Sequence, residues 1–213
     1  MALIQIWSCD IDRLDSSFFE KELRILPRSI QNEISRYQRP ADQQLRIAAR
    51  YMLRSSLKQN NLLFNLNDWQ TDAHKKPFIP GHFNFNISHS HRLSIIAVAT
   101  SPIPIGIDIE KKKSINTQAL STFLHPEEEE WISNSSSRLQ SFYTIWVKKE
   151  AALKAIGTGL LPGLKEFSCI HDSVSHRGKP WYFFPIHINQ EYCCCICTPI
   201  PLQIQDLEFI SIT

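Results

Sequence analysis

The sequence predicts a mixed α/β (α+β) protein of two similar lobes, residues 1–103 and 104–213, each a small antiparallel-type sheet packed by helices. Three observations carry this. Apolar residues recur at helical spacing from Ala41 to Asn60 and again over 138–156. Phe83, Phe85 and Ile87 alternate with Asn84, Asn86 and Ser88, the period of a half-buried strand. A succession of leading strand, helices and hairpin ends near Thr100 and starts again after S-P-I-P at 101–104, although the residues themselves do not repeat.

The first strand is expected near residues 2–8; the stretch has no basic run before it and meets Asp10 and Asp12 too soon for a signal peptide. Helical sequence follows from Ser16 to Tyr37, broken by Pro27. The helix at Ala41–Asn60 should bury Leu45, Ala49, Met52, Leu53 and Leu57. K-K-P-F-I-P-G at 75–81 reads as a turn, and L-S-I-I-A-V-A-T at 93–100 as the hairpin partner of the Phe83 strand. In the second half a strand at 105–110 precedes helices near 117–123, 126–134 and 138–156, then strands near 166–171, 181–188 and 192–198. Glu127 to Glu130, behind Pro126, mark a helix N-terminus, where the dipole favours negative charge.

With 213 residues and 43% apolar content the chain can bury a real core. No run approaches the roughly 18 apolar residues of a membrane span, and a cytoplasmic location is expected. Four of six cysteines crowd into Y-C-C-C-I-C at 192–197. Buried reduced thiols are the first reading, a soft-metal site the sharper alternative. The sequons at Asn86 and Asn134 carry no meaning in such a location. A net charge of +2 implies no nucleic acid. Between Lys21 and Lys58, however, nine basic residues face three acidic ones. Arg46, Arg50, Arg54 and Lys58, spaced by four, form a stripe that is either a solvated helix face or a cradle for an anion.

Chemistry concentrates in three segments. In I-G-I-D-I-E (105–110), Gly106, Asp108 and Glu110 share one strand face, so two like charges crowd together. In the helix S-F-Y-T-I-W-V-K-K-E-A-A-L-K-A-I-G (141–157), Trp146, Glu150 and Lys154 share a face; alone, Glu150 and Lys154 make an ordinary intrahelical ion pair. Asp108, Glu110 and Glu150 together would form a hard oxygen site of the kind that holds Mg²⁺ and shares it with phosphates. Without Glu150, the strand carboxylates read as a solvated face eased by Lys111, Lys112 and Lys113. In F-N-I-S-H-S (85–90), Ser88, His89 and Ser90 are donors suited to phosphate oxygens, or a strand end with a structural histidine. Neither a nucleophile elbow nor a P-loop is present.

In this order and at these separations, F-N-I-S-H-S, I-G-I-D-I-E and W-V-K-K-E-A-A-L-K resemble the signature blocks of the 4'-phosphopantetheinyl transferases, specifically the larger, surfactin-synthetase-activating type. G-T-G-L at 157–160, R-Y-x-x-x-x-D at 36–42 and W-Y-F at 181–183 extend the resemblance over most of the chain. The resemblance implies a monomer with lobes related by a pseudo-twofold axis, binding coenzyme A and Mg²⁺ in the cleft between them. It implies transfer of the phosphopantetheine arm to a serine of an apo acyl or peptidyl carrier protein, releasing adenosine 3',5'-bisphosphate. Asp108, Glu110 and Glu150 resemble the metal-binding carboxylates, Lys154 the lysine beside the reacting phosphate, and Ser88 and His89 contacts to the coenzyme A phosphates. Lys76 stands in the family's Gly-Lys-Pro position, with Lys75 in place of the glycine; Arg46 and Arg50 would meet the 3'-phosphate. Glu150 is a candidate base, and Phe123 and Leu124 a candidate carrier-docking surface. The rivals are a Mg²⁺-dependent nuclease, from Asp108 with Glu110-Lys111-Lys112, and a non-catalytic carrier-protein binder.

Overall fold

The computed structural model of the chain describes residues 3–114, 121–159 and 164–212. They form two compact units, 1–103 with 204–213, and 104–203. In the first, strand β1 (Ile4–Asp10) leads into helices α1 (Ser16–Ile25), α2 (Arg28–Ile34) and α3 (Pro40–Gln59). Asp15 caps α1 by accepting from the Phe18 amide, and Pro27 ends it, as expected of a residue without an N–H. A short ribbon, β2 (Gln70–Thr71) with β3 (Pro77–Phe78), precedes the hairpin β4 (Asn84–Ser90) and β5 (Leu93–Ala99). Leu45, Ala49, Met52, Leu53 and Leu57 of α3 are all buried, the face the periodicity predicts. The buried Ser94 hydroxyl donates to the Leu45 carbonyl at 3.1 Å, fastening α3 to β5.

The chain's last strand, β10 (Leu207–Ile212), belongs to this unit and corrects the expected boundary. It runs parallel to β1, with Ile4 opposite Leu207, in a sheet of order β10-β1-β5-β4. Buried Gln5 makes the junction: its carbonyl accepts from Ser56 Oγ at 2.6 Å and Asn60 Nδ2 at 2.8 Å, and its amide donates to Glu208 at 2.6 Å. Such a partner is invisible to local pattern, because the two strands lie two hundred residues apart.

The second unit opens with β6 (Gly106–Lys111), followed by α4 (Pro126–Ser133) and the long α5 (Arg138–Ile156). Strands β7 (Ser173–His176), β8 (Lys179–Pro185) and β9 (Tyr192–Thr198) complete an antiparallel sheet of order β6-β9-β8-β7. In each unit the leading strand pairs with the second strand of the hairpin. Helix α5 lies on β6 and β9. Gly106, Asp108 and Glu110 face Cys197, Cys195 and Cys193 across the ladder, so these thiols fill space under the helix as small apolar groups. All six cysteines are free and buried, and burial pushes the Cys195 thiol up to about 12, far from nucleophilic character.

Three second-half expectations change. The helix expected near 117–123 lies partly outside the described residues; only 121–123 are described, as a single 3₁₀ turn. Leu124, expected on a docking surface, is 3% exposed and belongs to the core, and Phe123 packs edge-on against Trp146. The strand expected at 166–171 is absent, and β7 starts at Ser173. Its apolar residues alternate, but its backbone bonds elsewhere: Lys149 donates to the Leu164 and Phe167 carbonyls, and the Cys169 amide donates to Glu128 at 2.7 Å.

Candidate active site

The second unit gathers four charged side chains on β6 and α5. Asp108, 4% exposed, points from the centre of β6 towards α5. Lys154, in the last turn of the helix, donates to Asp108 Oδ1 at 2.6 Å and to the Ile107 carbonyl at 3.1 Å. Gly157 ends the helix in a left-handed conformation, φ +80°, its amide bonded to the Leu153 carbonyl. Glu150, one turn before Lys154, is buried. Burial pushes its carboxyl up to about 7, Asp108 adding to the rise, Lys154 opposing it and Glu110 adding further. The helix partner that the strand carboxylates lack in sequence is therefore supplied from forty residues downstream.

Among the described residues no three His, Cys, Asp or Glu side chains converge as a metal cluster, and Asp108 is met by Lys154. The donor chemistry of Asp108, Glu110 and Glu150 nevertheless fits a hard divalent cation. Burial raises Glu150 most, and the repulsion from Asp108 and Glu110 that adds to the rise is what a dication would remove. Lys112, half of the nuclease-like element, bonds Gln140 of α5 at 2.7 Å.

The other sequence-derived candidates lie in the first unit. Ser88 is buried and His89 half-buried on β4, in register with Ile95 and Ser94 of β5. Lys76 closes the turn between β2 and β3, its amide donating to Asp72 Oδ1 at 2.9 Å. Asp72 organises that turn, also accepting from the His74 amide at 2.8 Å. Lys75 adopts φ +63°, the left-handed conformation that glycine would take freely. The basic stripe divides. Arg46 lies over the Tyr37 ring, 3.4 Å from its centroid. Arg50 is 5% exposed, paired with Glu33 at 3.0 Å and stacked on Trp69, and Arg54 pairs with Glu22.

Sequence reasoning missed the pair that holds α5 in place. Lys149 and Glu128, both fully buried, meet at 2.9 Å. Glu128 is also the third residue of the α4 capping box, accepting from the His125 amide at 2.8 Å. A signal existed: Phe142, Ile145, Lys149 and Ala152 fall at spacings of three and four, so the lysine lies on the apolar face and needs a buried partner.

Residues 104–197 match the family model of the 4'-phosphopantetheinyl transferase superfamily. That span contains β6 and α5 and hence all four site residues. No curated protein matches the sequence. Among solved structures the chain is similar to the Thermotoga maritima holo-[acyl-carrier-protein] synthase, at 17% identity and a TM-score of 0.35. The similarity covers 45% of this chain and 62% of that one. Among the described residues no helix is long and apolar enough to cross a membrane.

Proposed function

We propose that the protein transfers the 4'-phosphopantetheine arm of coenzyme A to a serine of an apo carrier protein, in a Mg²⁺-dependent reaction that releases adenosine 3',5'-bisphosphate. One observation carries the reading: a strand and a helix inside the family-matched span bring Asp108, Glu110, Glu150 and Lys154 into one electrostatic group. Three carboxylates with one ammonium suit a diphosphate that must be gripped, neutralised and cleaved. The order of the signature blocks supports the surfactin-synthetase-activating type within the superfamily.

The serine hydroxyl forms a bond to the phosphorus that carries the pantetheine arm. The bond from that phosphorus to the bridging oxygen breaks, and the adenosine bisphosphate departs with the electron pair. Glu150, one helical turn from Lys154, is the candidate base that receives the serine proton directly or through a water. Lys154, anchored on Asp108, turns its charge to the phosphate oxygens, where negative charge grows. Asp108, Glu110 and Glu150 would hold the cation, which when bound neutralises charge on the diphosphate. Ser88, His89 and Lys76 would contact the coenzyme A phosphates and Arg46 the 3'-phosphate, while the charge of Arg50, which the resemblance also directs there, is met by Glu33.

The test is incubation with coenzyme A, Mg²⁺ and apo carrier protein, followed by the carrier's mass. A phosphopantetheine adduct from wild type, lost with chelator and with Glu150→Gln, is the expected result. Undiminished transfer by Glu150→Gln removes its role, and an unmodified carrier from wild type across a panel of apo acyl and peptidyl carriers overturns the reading. Nucleic-acid cleavage by the same preparation would select the nuclease instead.

A further inference from the structure

The proposed reaction needs Glu150 and Lys154, on α5, to work against Asp108, on β6, so the separation of helix and strand must be kept to a fraction of an ångström. Gly106 sits at a close approach of the two backbones. A Cβ built on it would lie 2.0 Å from the Ala151 carbonyl oxygen and 2.6 Å from the Ala155 amide nitrogen. These two atoms are the ends of one turn's i to i+4 hydrogen bond. No rotamer change relieves a collision with backbone. Any residue but glycine must drive α5 off β6 or wedge open that turn.

The surroundings are built to the same scale. Ala151, Ala152 and Ala155 are buried on α5, and Cys197 and Cys195 stand opposite Gly106 and Asp108 on β9. Asp108 follows Gly106 by two residues and shares its face of the strand. Lys154 lies within the Ala151–Ala155 turn that rests on the glycine. Its ammonium bonds both the Ile107 carbonyl, at 3.1 Å, and Asp108 Oδ1, at 2.6 Å. One ammonium reaches both a strand carbonyl and the adjoining side chain only because the helix comes this close.

We propose that Gly106 is a positioning residue for the transfer reaction: by admitting the Ala151–Ala155 turn of α5 onto β6, it sets Lys154 and Glu150 against Asp108. This rests on the transferase reading above. The test compares Gly106→Ala with Gly178→Ala, a glycine at φ +74° in open space between β7 and β8, whose replacement strains a turn without touching α5. At temperatures where both variants are folded, Gly106→Ala should lower kcat by about tenfold or more. Its KM for coenzyme A should stay within about threefold of wild type, and Gly178→Ala should keep both constants. A crystal structure of Gly106→Ala should show Lys154 withdrawn from Asp108.

If Gly106→Ala does not fold, Ala155→Val, which widens the same contact with side-chain bulk, should show the same split. Wild-type kcat in whichever of the two folds, or a loss no greater than that of Gly178→Ala, overturns the proposal. Failure of wild type itself to load any carrier overturns the transferase reading instead. In that case the Lys154 to Asp108 contact in the variant's crystal structure still decides whether Gly106 sets the spacing.

Discussion

Lys75 holds a left-handed backbone, φ +63°, that costs a residue with a side chain about 1 kcal/mol. Lys75→Gly should therefore stabilise the first unit by roughly 0.5–1 kcal/mol, seen as a higher melting temperature; no gain would mean that the turn relaxes without cost. Glu150 gives the residue-scale prediction in pH. Its folded carboxyl titrates at about 7 against 4.5 in an unstructured chain, so the native state retains a proton that the unfolded state releases. The associated stability is complete below about 4.5 and is lost as pH rises through about 7. In chelator, Glu150→Gln and wild type should differ little at pH 5, whereas at pH 8 the variant should be more stable by about 1–3 kcal/mol. Denaturant titrations at the two pH values check this, and a pH-independent difference would contradict it. Arg46 and Arg50 look equivalent in sequence, yet only Arg50 is buried against Glu33. Arg50→Ala should lower stability by about 1–3 kcal/mol, since the partner Glu33 is part-exposed and can be solvated, while Arg46→Ala should chiefly raise the KM for coenzyme A.

At the scale of elements, α5 is held in place by more than its apolar face. Lys149 and Glu128 join α5, α4 and the segment 164–169 through one buried ion pair and the backbone groups it satisfies. Removing one partner leaves a charge buried alone. Lys149→Met should cost about 3–5 kcal/mol, and the double replacement Glu128→Leu/Lys149→Met should recover part of it. A double variant no more stable than the single one would show that the backbone bonds, not the charge pair, do the holding. The helices themselves were legible in sequence: α3, α4 and α5 run almost where their periodicity and their proline or glycine ends predict. The 166–171 segment was not, because its alternation of apolar residues is that of a strand while the Cys169 amide and the Phe167 carbonyl are taken by side chains 41 and 18 residues away.

On the scale of the whole molecule, the last strand closes the first unit's sheet beside the first, and Gln5 ties both to α3. Deleting residues 207–213 would leave β1 as an unpaired edge, so the truncated chain should melt several degrees lower and aggregate more readily. Unchanged melting would show that β10 is dispensable. The local placement of the candidate residues was largely readable because they come in short blocks whose geometry is fixed by period. Alternation puts Asp108 and Glu110 on one face, and a four-residue step puts Glu150 and Lys154 on another. By itself the sequence determined where the long helices and most strands lie, which of their faces are apolar, and which candidate residues share a face. Only the tertiary structure decided that Lys154 lies against Asp108, that Arg50 turns inward while Lys149 finds Glu128, and that the chain's end returns to its beginning. Local periodicity records what a face prefers, whereas ion pairs and strand ladders depend on which distant segment arrives there.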